Sequence, residues 1–279
     1  MAEYLEFDWK TSMISHDVHI LSIGDLRKPK VDKARSVEDL RSFIQHGTDE
    51  QLKTNMQQDD ATLLRFLYAR NFNVPDAYLL MQNCYWYRQR NPSLFADLVP
   101  SAPDVRKAFE NVLPGVLGAR DRRGRTVLIL YATNWDCSYG LASVYRALLV
   151  ALELLIADVQ NQANGLVVVV DWTEFSLRQT ANLKPSMLKL MIEGLQDCFP
   201  ARFKGVHFIG QPWYVDAALT VIKPFLKDKI KERIYVHGNN LSTLHDYLPK
   251  DILPTELGGD LATYNPEVWI KSIQPKMGT

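Results

Sequence analysis

Apolar positions along this chain recur at two periods, and the switch between them lays out the architecture. GLVVVVDW (165–172) and FKGVHFIG (203–210) are short, nearly continuous apolar runs rich in β-branched residues. That is the pattern of strands covered on both faces of a sheet. Between them a helix-length segment opens at Pro185 and carries Met187, Leu190, Met191, Gly194, Leu195 and Cys198 on one face. After the second run, Trp213, Ala217, Val221 and Phe225 fall four apart, flanked by Tyr214, Ala218 and Ile222. The charged run Lys227–Arg233 follows at once, and a further strand is predicted over Arg233–His237. An amphipathic helix with a basic end suits a lid over an apolar hole or a membrane surface. The pattern predicts the lid of a lipid pocket.

Upstream the periodicity is helical. In DDATLLRFLYARNFNVPDAYLLMQNCYWYRQRNP (59–92), Asp59 or Asp60 caps a helix containing Leu63, Leu64, Phe66 and Leu67, and Asn71–Asn73 breaks it. A second helix starts near Pro75, with Ala77, Leu80, Met81, Cys84 and Tyr85 at helical spacing, and stops before Pro92. The aromatic cluster Tyr85, Trp86 and Tyr87 reads as packing surface. Residues 1–58 are weakly patterned, with basic clusters at Arg27–Lys30 and Lys33–Arg35. Ser36–Asp39 resembles a capping box ahead of Leu40 and Phe43 and predicts one helix here. ARDRRGRTVLILYAT (119–133) predicts a basic turn around Gly124 leading into a strand, followed by a long helix from Leu141 to about Asn161. Strand and helix then alternate, which implies right-handed crossovers and a mainly parallel sheet. Beyond the last strand the sequence predicts a short helix and turns, and residues 260–279 carry no assignment.

Length and charge narrow the classes. A chain of 279 residues builds one large domain, or a domain with a subdomain. Its 32 Lys and Arg balance 32 Asp and Glu, so any electrostatic partner must be met by a local patch; no nucleic-acid partner is expected. Cys84, Cys137 and Cys198 are odd in number and widely spaced, which favours buried thiols over a disulfide frame or zinc site. MAEYLEFDWK carries charges where a signal peptide needs a basic start and an apolar core, which argues against secretion. The longest apolar run, Ala147–Ile156, is too short for a bilayer, which needs about 20 residues. The expectation is a soluble cytoplasmic protein.

Catalytic signatures are missing: no GxSxG elbow, no GxxxxGK[ST] loop, no GxGxxG after a strand, and no HExxH or Cys/His cluster for a metal. Asp171 and Glu174 at a strand end could serve as acid and base, but nothing nucleophilic lies beside them. His207 and His237 read as core or capping residues, and the Arg120–Arg125 cluster as a solvated turn. No catalytic residue, metal or cofactor is expected.

Over residues 50–260 the chain resembles the CRAL-TRIO lipid-binding proteins in one colinear order. DDATLLRFLYARNFNVPDA resembles their N-terminal helical module. GLVVVVDW, LKPSMLKLMIEGLQDCFPARFKGVHFIGQPW, IKPFLKDKIKERIYVHGNN and ILPTELGG resemble the domain proper, with the FP-x-x-x-KG and IKPFL segments the most specific. The likeness is greatest to the branch of tocopherol-transfer, cellular-retinaldehyde-binding and clavesin-type proteins. It implies an α/β fold whose mainly parallel sheet floors an apolar lipid pocket closed by a helical gate, preceded by an all-helical N-terminal subdomain. The boundaries implied are 1–95 for the helical subdomain, 96–265 for the lipid-binding domain and 266–279 for a C-terminal tail.

The activity implied is non-catalytic carriage of one hydrophobic small molecule or lipid. The expected pocket wall is Val168, Val170, Val206 and Phe208 from the sheet, Tyr145, Leu148 and Leu152 from the long helix, and Trp213, Ala217, Val221, Ile222 and Phe225 from the gate. The resemblance also implies phosphoinositide binding at Arg202, Lys204, Lys229 and Arg233, with Lys229 and Arg233 expected on one helix face and Lys227 and Lys231 adding unspecific attraction. The protein is thus expected to be a monomer, cytoplasmic and reversibly bound to phosphoinositide-bearing membranes, endosomal ones among them. From Val144 to Asp158 the long helix has no Ser, Thr or Asn, so polar anchors for cargo are few; tocopherol, retinoid, carotenoid, sterol-like and phospholipid cargoes all stay open. A lipid-sensing adaptor, or a phosphatidylinositol-type transfer and regulatory module acting through a protein partner, is the alternative. One departure stands out: where the family often has D-x-x-G after the central strand, Glu174 replaces the glycine, so a different loop is expected there.

Overall fold

The computed structural model describes residues 31–274. The MAEYLEFDWK segment and the Arg27–Lys30 cluster lie outside the described residues. Among the described residues, three longer helices and one short one (Glu50–Asn55) build the N-terminal module; the longer ones are α1 (Lys33–His46), α2 (Asp60–Ala69) and α3 (Val74–Arg90). Asp59 caps α2 by accepting from Thr62 N at 3.0 Å, and Asn73 caps α3 by accepting from Asp76 N. Asn71 and Phe72 take positive φ between these two helices, which makes the sharp break. Helix α1 begins earlier than the capping box predicts. Asp32 accepts from Arg35 N, and the Ser36 hydroxyl turns back to Asp32 O at 2.8 Å, so it caps nothing. Leu40, Ile44, Leu63, Leu67, Leu80 and Met81 form the module's own core.

The rest follows in the order α4 (Pro103–Glu110), β1 (Gly115–Val116), β2 (Thr126–Tyr131), α5 (Leu141–Ile156), β3 (Leu166–Asp171), α6 (Pro185–Glu193), β4 (Phe203–Ile209), α7 (Trp213–Ile222), β5 (Ile234–Gly238) and α8 (Pro266–Ile273). The sheet order is β1-β2-β3-β4-β5, with β1 antiparallel and the other pairings parallel. Because β2 to β5 step across the sheet in one direction, right-handed crossovers put α5, α6 and α7 on one face. The other face is covered by Leu244, Leu248, Ile252 and Leu257, packed on Val127, Ile129, Val167 and Val169.

Three expectations are corrected here. Helix α5 stops at Ile156, because Asp158 caps a separate short helix (Val159–Asn164) and the amides of Asn161 and Gln162 donate to Leu155 O and Ile156 O. Residues 266–273, read as part of a tail, form α8. Its Trp269, Ile270 and Ile273 are buried, with the Trp269 ring edge-on to Phe109 at 6.4 Å. Finally, Glu174 takes the left-handed conformation, φ 61°, so the loop keeps a glycine-type angle without the glycine.

Candidate functional site: an apolar cavity with a basic cluster

Between the sheet and its crossover helices lies a cavity of about 560 Å³. Strand register builds its floor from two rows of side chains. Val168 of β3 pairs with Val206 of β4, which pairs with Ile234 of β5; one pleat further on, Leu130, Val170, Phe208 and Val236 form the second row. Alternation sends the residues between them, Val167, Val169, His207 and Ile209, to the opposite face. Leu141, Val144 and Leu148 of α5 make one wall, and Leu188, Met191, Ile192 and Leu195 of α6 and its extension make another. Trp135, Trp172 and Phe175 close one end, where Trp172 stands edge-on to Phe175 (4.9 Å) and Phe208 (6.0 Å). The roof is α7 through Val215, Ala218, Leu219 and Ile222, continued by Leu226 and Ile230.

Of the expected wall residues, Leu148, Val168, Val170, Val206, Phe208 and Ile222 line this cavity. Tyr145 and Leu152 do not: both are fully buried in the core behind it, and the Tyr145 hydroxyl lies 3.1 Å from that of Tyr87, which donates to Leu190 O. The gate expectation is corrected more sharply. Trp213 is 75% exposed, Val221 is 55% exposed, and Ala217 and Phe225 are also exposed. The structure turns this large-residue stripe outward and the stripe of Val215, Ala218, Leu219 and Ile222 inward. A helix apolar around nearly its whole circumference gives period alone no way to select the buried face.

Beside the gate, basic side chains gather at the amino-terminal edge of β4. A bulge sets Leu166 against Phe203 but Val167 against Gly205, leaving Lys204 as the extra residue and re-aiming it. Gly165 makes room: it sits at φ 81°, and a Cβ there would lie 2.8 Å from Lys204 Cγ. Arg202 Nη1 donates to Ala163 O at 2.9 Å, and Arg233 Nη1 donates to Phe203 O at 2.6 Å. Burial, then the charges of Arg202, Arg233, Arg125 and Lys229, push the Lys204 ammonium down to about 8. Burial and the neighbouring Arg233, Arg70 and Arg202 likewise hold Lys229 below the ordinary lysine value. A cluster of cations that raise one another's energy is stabilised by an anion.

Lys229 and Arg233 do not share a helix face as expected. The helix there spans only Asp228–Lys231, and Arg233 reaches the cluster from the turn just before β5. Lys227 is paired with Asp197, and Lys231 with Asp228 at 2.9 Å. Arg70, which the sequence reading did not single out, joins from the N-terminal module, with Nη2 3.4 Å from Gln196 O. No local signal marks it, because only tertiary packing carries the end of α2 to this edge.

The remaining candidates take structural roles. Arg125 pairs with the buried Asp121 at 2.5 Å, and Arg120 with Asp158 and Asn161, which ties down the basic turn. Asp171 accepts from Thr173 N in the loop after β3. His207 and His237 meet at 2.9 Å across β4 and β5, on the face away from the cavity. There Thr243 Oγ1, which donates to Asn240 O, accepts from His237 Nδ1; this leaves His237 Nε2 to accept from His207. Cys84 and Cys198 are buried thiols, and Cys137 is half-buried. Among the described residues no group of three or more His, Cys, Asp or Glu could hold a metal, and no helix is long and apolar enough to cross a membrane.

Comparison with known proteins matches this geometry to one family. The CRAL/TRIO domain profile matches residues 110–259, and that of the CRAL/TRIO N-terminal domain matches residues 38–83. Clavesin-1 of Xenopus laevis is 48% identical over 219 residues, which cover 78% of this chain and 66% of the relative. Clavesin-2 of Homo sapiens is 42% identical over 258 residues, covering 91% of this chain and 79% of the relative. The chain thus spans slightly under two thirds of the length of the Clavesin-1 relatives. Among solved structures, that of Sfh5 superposes with a TM-score of 0.57 at 15% identity, covering 86% of this chain and 91% of the other. That last likeness is one of fold.

Proposed function

This chain belongs to the CRAL/TRIO family, and on that premise we propose that it carries one hydrophobic small molecule or lipid in its gated cavity and transfers it at phosphoinositide-bearing membranes. The observation that carries this reading is the cavity itself. Its volume of about 560 Å³ falls within the roughly 300–1,000 Å³ typical of small-molecule sites. Its floor and walls are hydrocarbon and aromatic side chains, so affinity comes from apolar area removed from water, at roughly 25 cal/mol per Å². The polar side chains at its border, Gln196, Asp216, Thr220 and Lys223, all lie at the gate and not at the floor. Such a lining selects an apolar body and sets few polar requirements, so tocopherol, retinoid, carotenoid and phospholipid cargoes all suit it. No residue here is assigned chemistry on the cargo.

Two features support the membrane step. Arg202, Lys204, Lys229, Arg233 and Arg70 present a desolvated cationic cluster suited to a phosphorylated headgroup. The gate carries Trp213 and Val221 outward on the same stretch of chain that leads into Lys229 and Arg233, pairing exposed apolar surface with positive charge as interfacial helices do. Headgroup capture beside the gate and insertion of its outer face would together favour opening and cargo exchange.

The test is to purify the protein from a lipid-rich host, extract it with organic solvent, and identify what came with it by mass spectrometry and absorbance. One stoichiometric hydrophobic molecule supports the reading and names the cargo class. An extract that stays empty after incubation with a broad lipid mixture overturns it and moves the adaptor alternative ahead.

A further inference from the structure

At its carboxyl end the main chain of the gate segment is held by one uncharged side chain, that of Gln196, while Lys189 lies over the Phe225 ring at 4.9 Å. Residues Gly194–Cys198 continue α6 as a π-turn, a feature frequent at functional positions. Gly194 lets this turn sit close to the core: a Cβ there would lie 1.9 Å from the Tyr145 hydroxyl oxygen and 2.7 Å from that of Tyr87. Seated on those tyrosines, the turn presents Gln196 to the gate. Its Nε2 donates to Phe225 O at 3.0 Å, and its Oε1 accepts from Lys227 N at 3.2 Å. Its main-chain oxygen faces Arg70 Nη2 at 3.4 Å, which braces the turn from the N-terminal module.

The chemistry of that contact is specific. The short 3-10 turn Lys223–Phe225 ends at Leu226, which is extended, and the next helix starts only at Asp228. Phe225 O and Lys227 N therefore have no helical partners, and both lie at the exposed end of the gate, where the half-buried Gln196 side chain reaches them. A carboxamide carries one donor and one acceptor side by side, so a single Gln satisfies both groups as a neighbouring strand would. The Asp197–Lys227 ion pair lies next to it, but Lys227 is largely exposed, and such pairs hold little in water. The other end of the gate is anchored separately, by Tyr214 Oη donating to Phe175 O at 2.5 Å and by the buried Val215.

We propose that Gln196 is the positioning residue of the gate: its side-chain amide, bridging Phe225 O and Lys227 N, holds the carboxyl end of the gate closed and sets the rate at which cargo leaves. This inference rests on the carrier reading above, but it needs no anionic membrane.

The test uses the full chain loaded with Nile red, an uncharged apolar dye, mixed in stopped flow with excess phosphatidylcholine vesicles. Removing two partly exposed hydrogen bonds with Gln196→Ala should speed dye release about tenfold, roughly 1.4 kcal/mol. Lys227→Pro removes the N–H partner together with the ion pair to Asp197, whose share Asp197→Asn measures, at a residue whose φ of −68° and extended predecessor suit proline. It should speed release about threefold. Asp197→Asn, which removes the ion pair and leaves the amide in place, should change release less than twofold. Amide exchange should rise over residues 213–227 in Gln196→Ala with the melting temperature unchanged, which a general loss of structure would not produce. Wild-type release and exchange in Gln196→Ala would overturn the assignment, as would Asp197→Asn carrying the acceleration. A wild-type protein that takes up no dye would overturn the carrier reading itself, and the latch with it.

Discussion

Trp213 separates a membrane-docking gate from one that only covers a cavity. The residue is 75% exposed on the outer face of α7, and a buried tryptophan removes 150–250 Å² from water. Three quarters of that leaves about 150 Å² of mostly apolar surface, or about 4 kcal/mol on full burial at 25 cal/mol per Å². A ring lying in the headgroup region is covered on about half of its surface, which brings the gain to about 2 kcal/mol, a factor of roughly 30 in partitioning. Trp213→Ser should therefore weaken sedimentation with phosphoinositide-containing vesicles about 30-fold, and Trp213→Phe only a few-fold. Because the lost contribution is apolar, the ratio of wild type to variant should persist at high salt, where the charged contribution of the basic cluster is screened. Folding stability should stay within about 0.5 kcal/mol, as for other exposed sites. Binding within twofold of wild type would refute the reasoning, and so would a large loss of stability, since either would mean that the ring meets no bilayer.

Charge reversal at Lys229 and Arg233 together should weaken vesicle binding and cargo transfer while leaving cargo loading intact, measured by extraction of the purified variant; unchanged transfer would sink the proposed membrane step. Lys204 has its ammonium disfavoured in the folded protein, with a pKa lowered to about 8 from 10.5. Folding stability should therefore rise between about pH 8 and 10.5, where the folded protein has shed a proton that the unfolded chain keeps. Binding of a soluble inositol phosphate, which needs the ammonium, should fall as pH rises through about 8, and calorimetry on Lys204→Met should show no such step. Glu174→Gly, at φ 61°, should leave stability unchanged or raise it by up to about 1 kcal/mol in urea titration, because the left-handed conformation strains a side chain more than it costs glycine.

How legible the site was in the sequence depends on which period governed each element. In the parallel strands, Val168, Val170, Val206 and Phe208 were legible as one face because the side-chain period of a strand is two and register fixes the rest. On α7 the same reasoning had no purchase. Only Asp216 and Thr220 interrupt its apolar surface, so the row Trp213, Ala217, Val221 and Phe225, four apart, read as the inward face, and the helix buries Val215 instead. Arg202 and Lys204 were reached only through the family resemblance, and the bulge that aims Lys204 leaves no mark in the sequence. The helical i,i+4 reading of Lys229 and Arg233 failed because the helix there ends after one turn. Arg70 and Gln196 were out of reach: each acts through a partner far along the chain, and spacing within one segment carries no information about it. Helix α8 was legible in principle, since Trp269, Ile270 and Ile273 show helical spacing, but so short a stretch gives a weak signal.

The gate's two apolar faces bear on how a carrier of this kind can open at all. A helix apolar all round is ordinarily buried on all sides or set in a membrane, and α7 is neither. Its inner face packs on the core through Val215 and Leu219 and otherwise borders the cavity, so on the proposed reading much of what that face meets would be exchangeable cargo. Its outer face offers Trp213 and Val221 to whatever apolar surface approaches. Attachment of the gate to the protein then falls mainly to its ends, to Tyr214 and Val215 at one and to the Gln196 bridge at the other. Opening such a segment breaks a handful of end contacts, where extracting a fully packed helix of the same length would forfeit several buried side chains at about 1.5–3 kcal/mol each. A bilayer that covers the outer face offsets the exposure of the inner one. Strengthening the end contacts should therefore slow cargo exchange more than enlarging the apolar inner face, because contacts at the gate's ends are lost whenever it opens, whereas the inner face can pass from cargo to lipid.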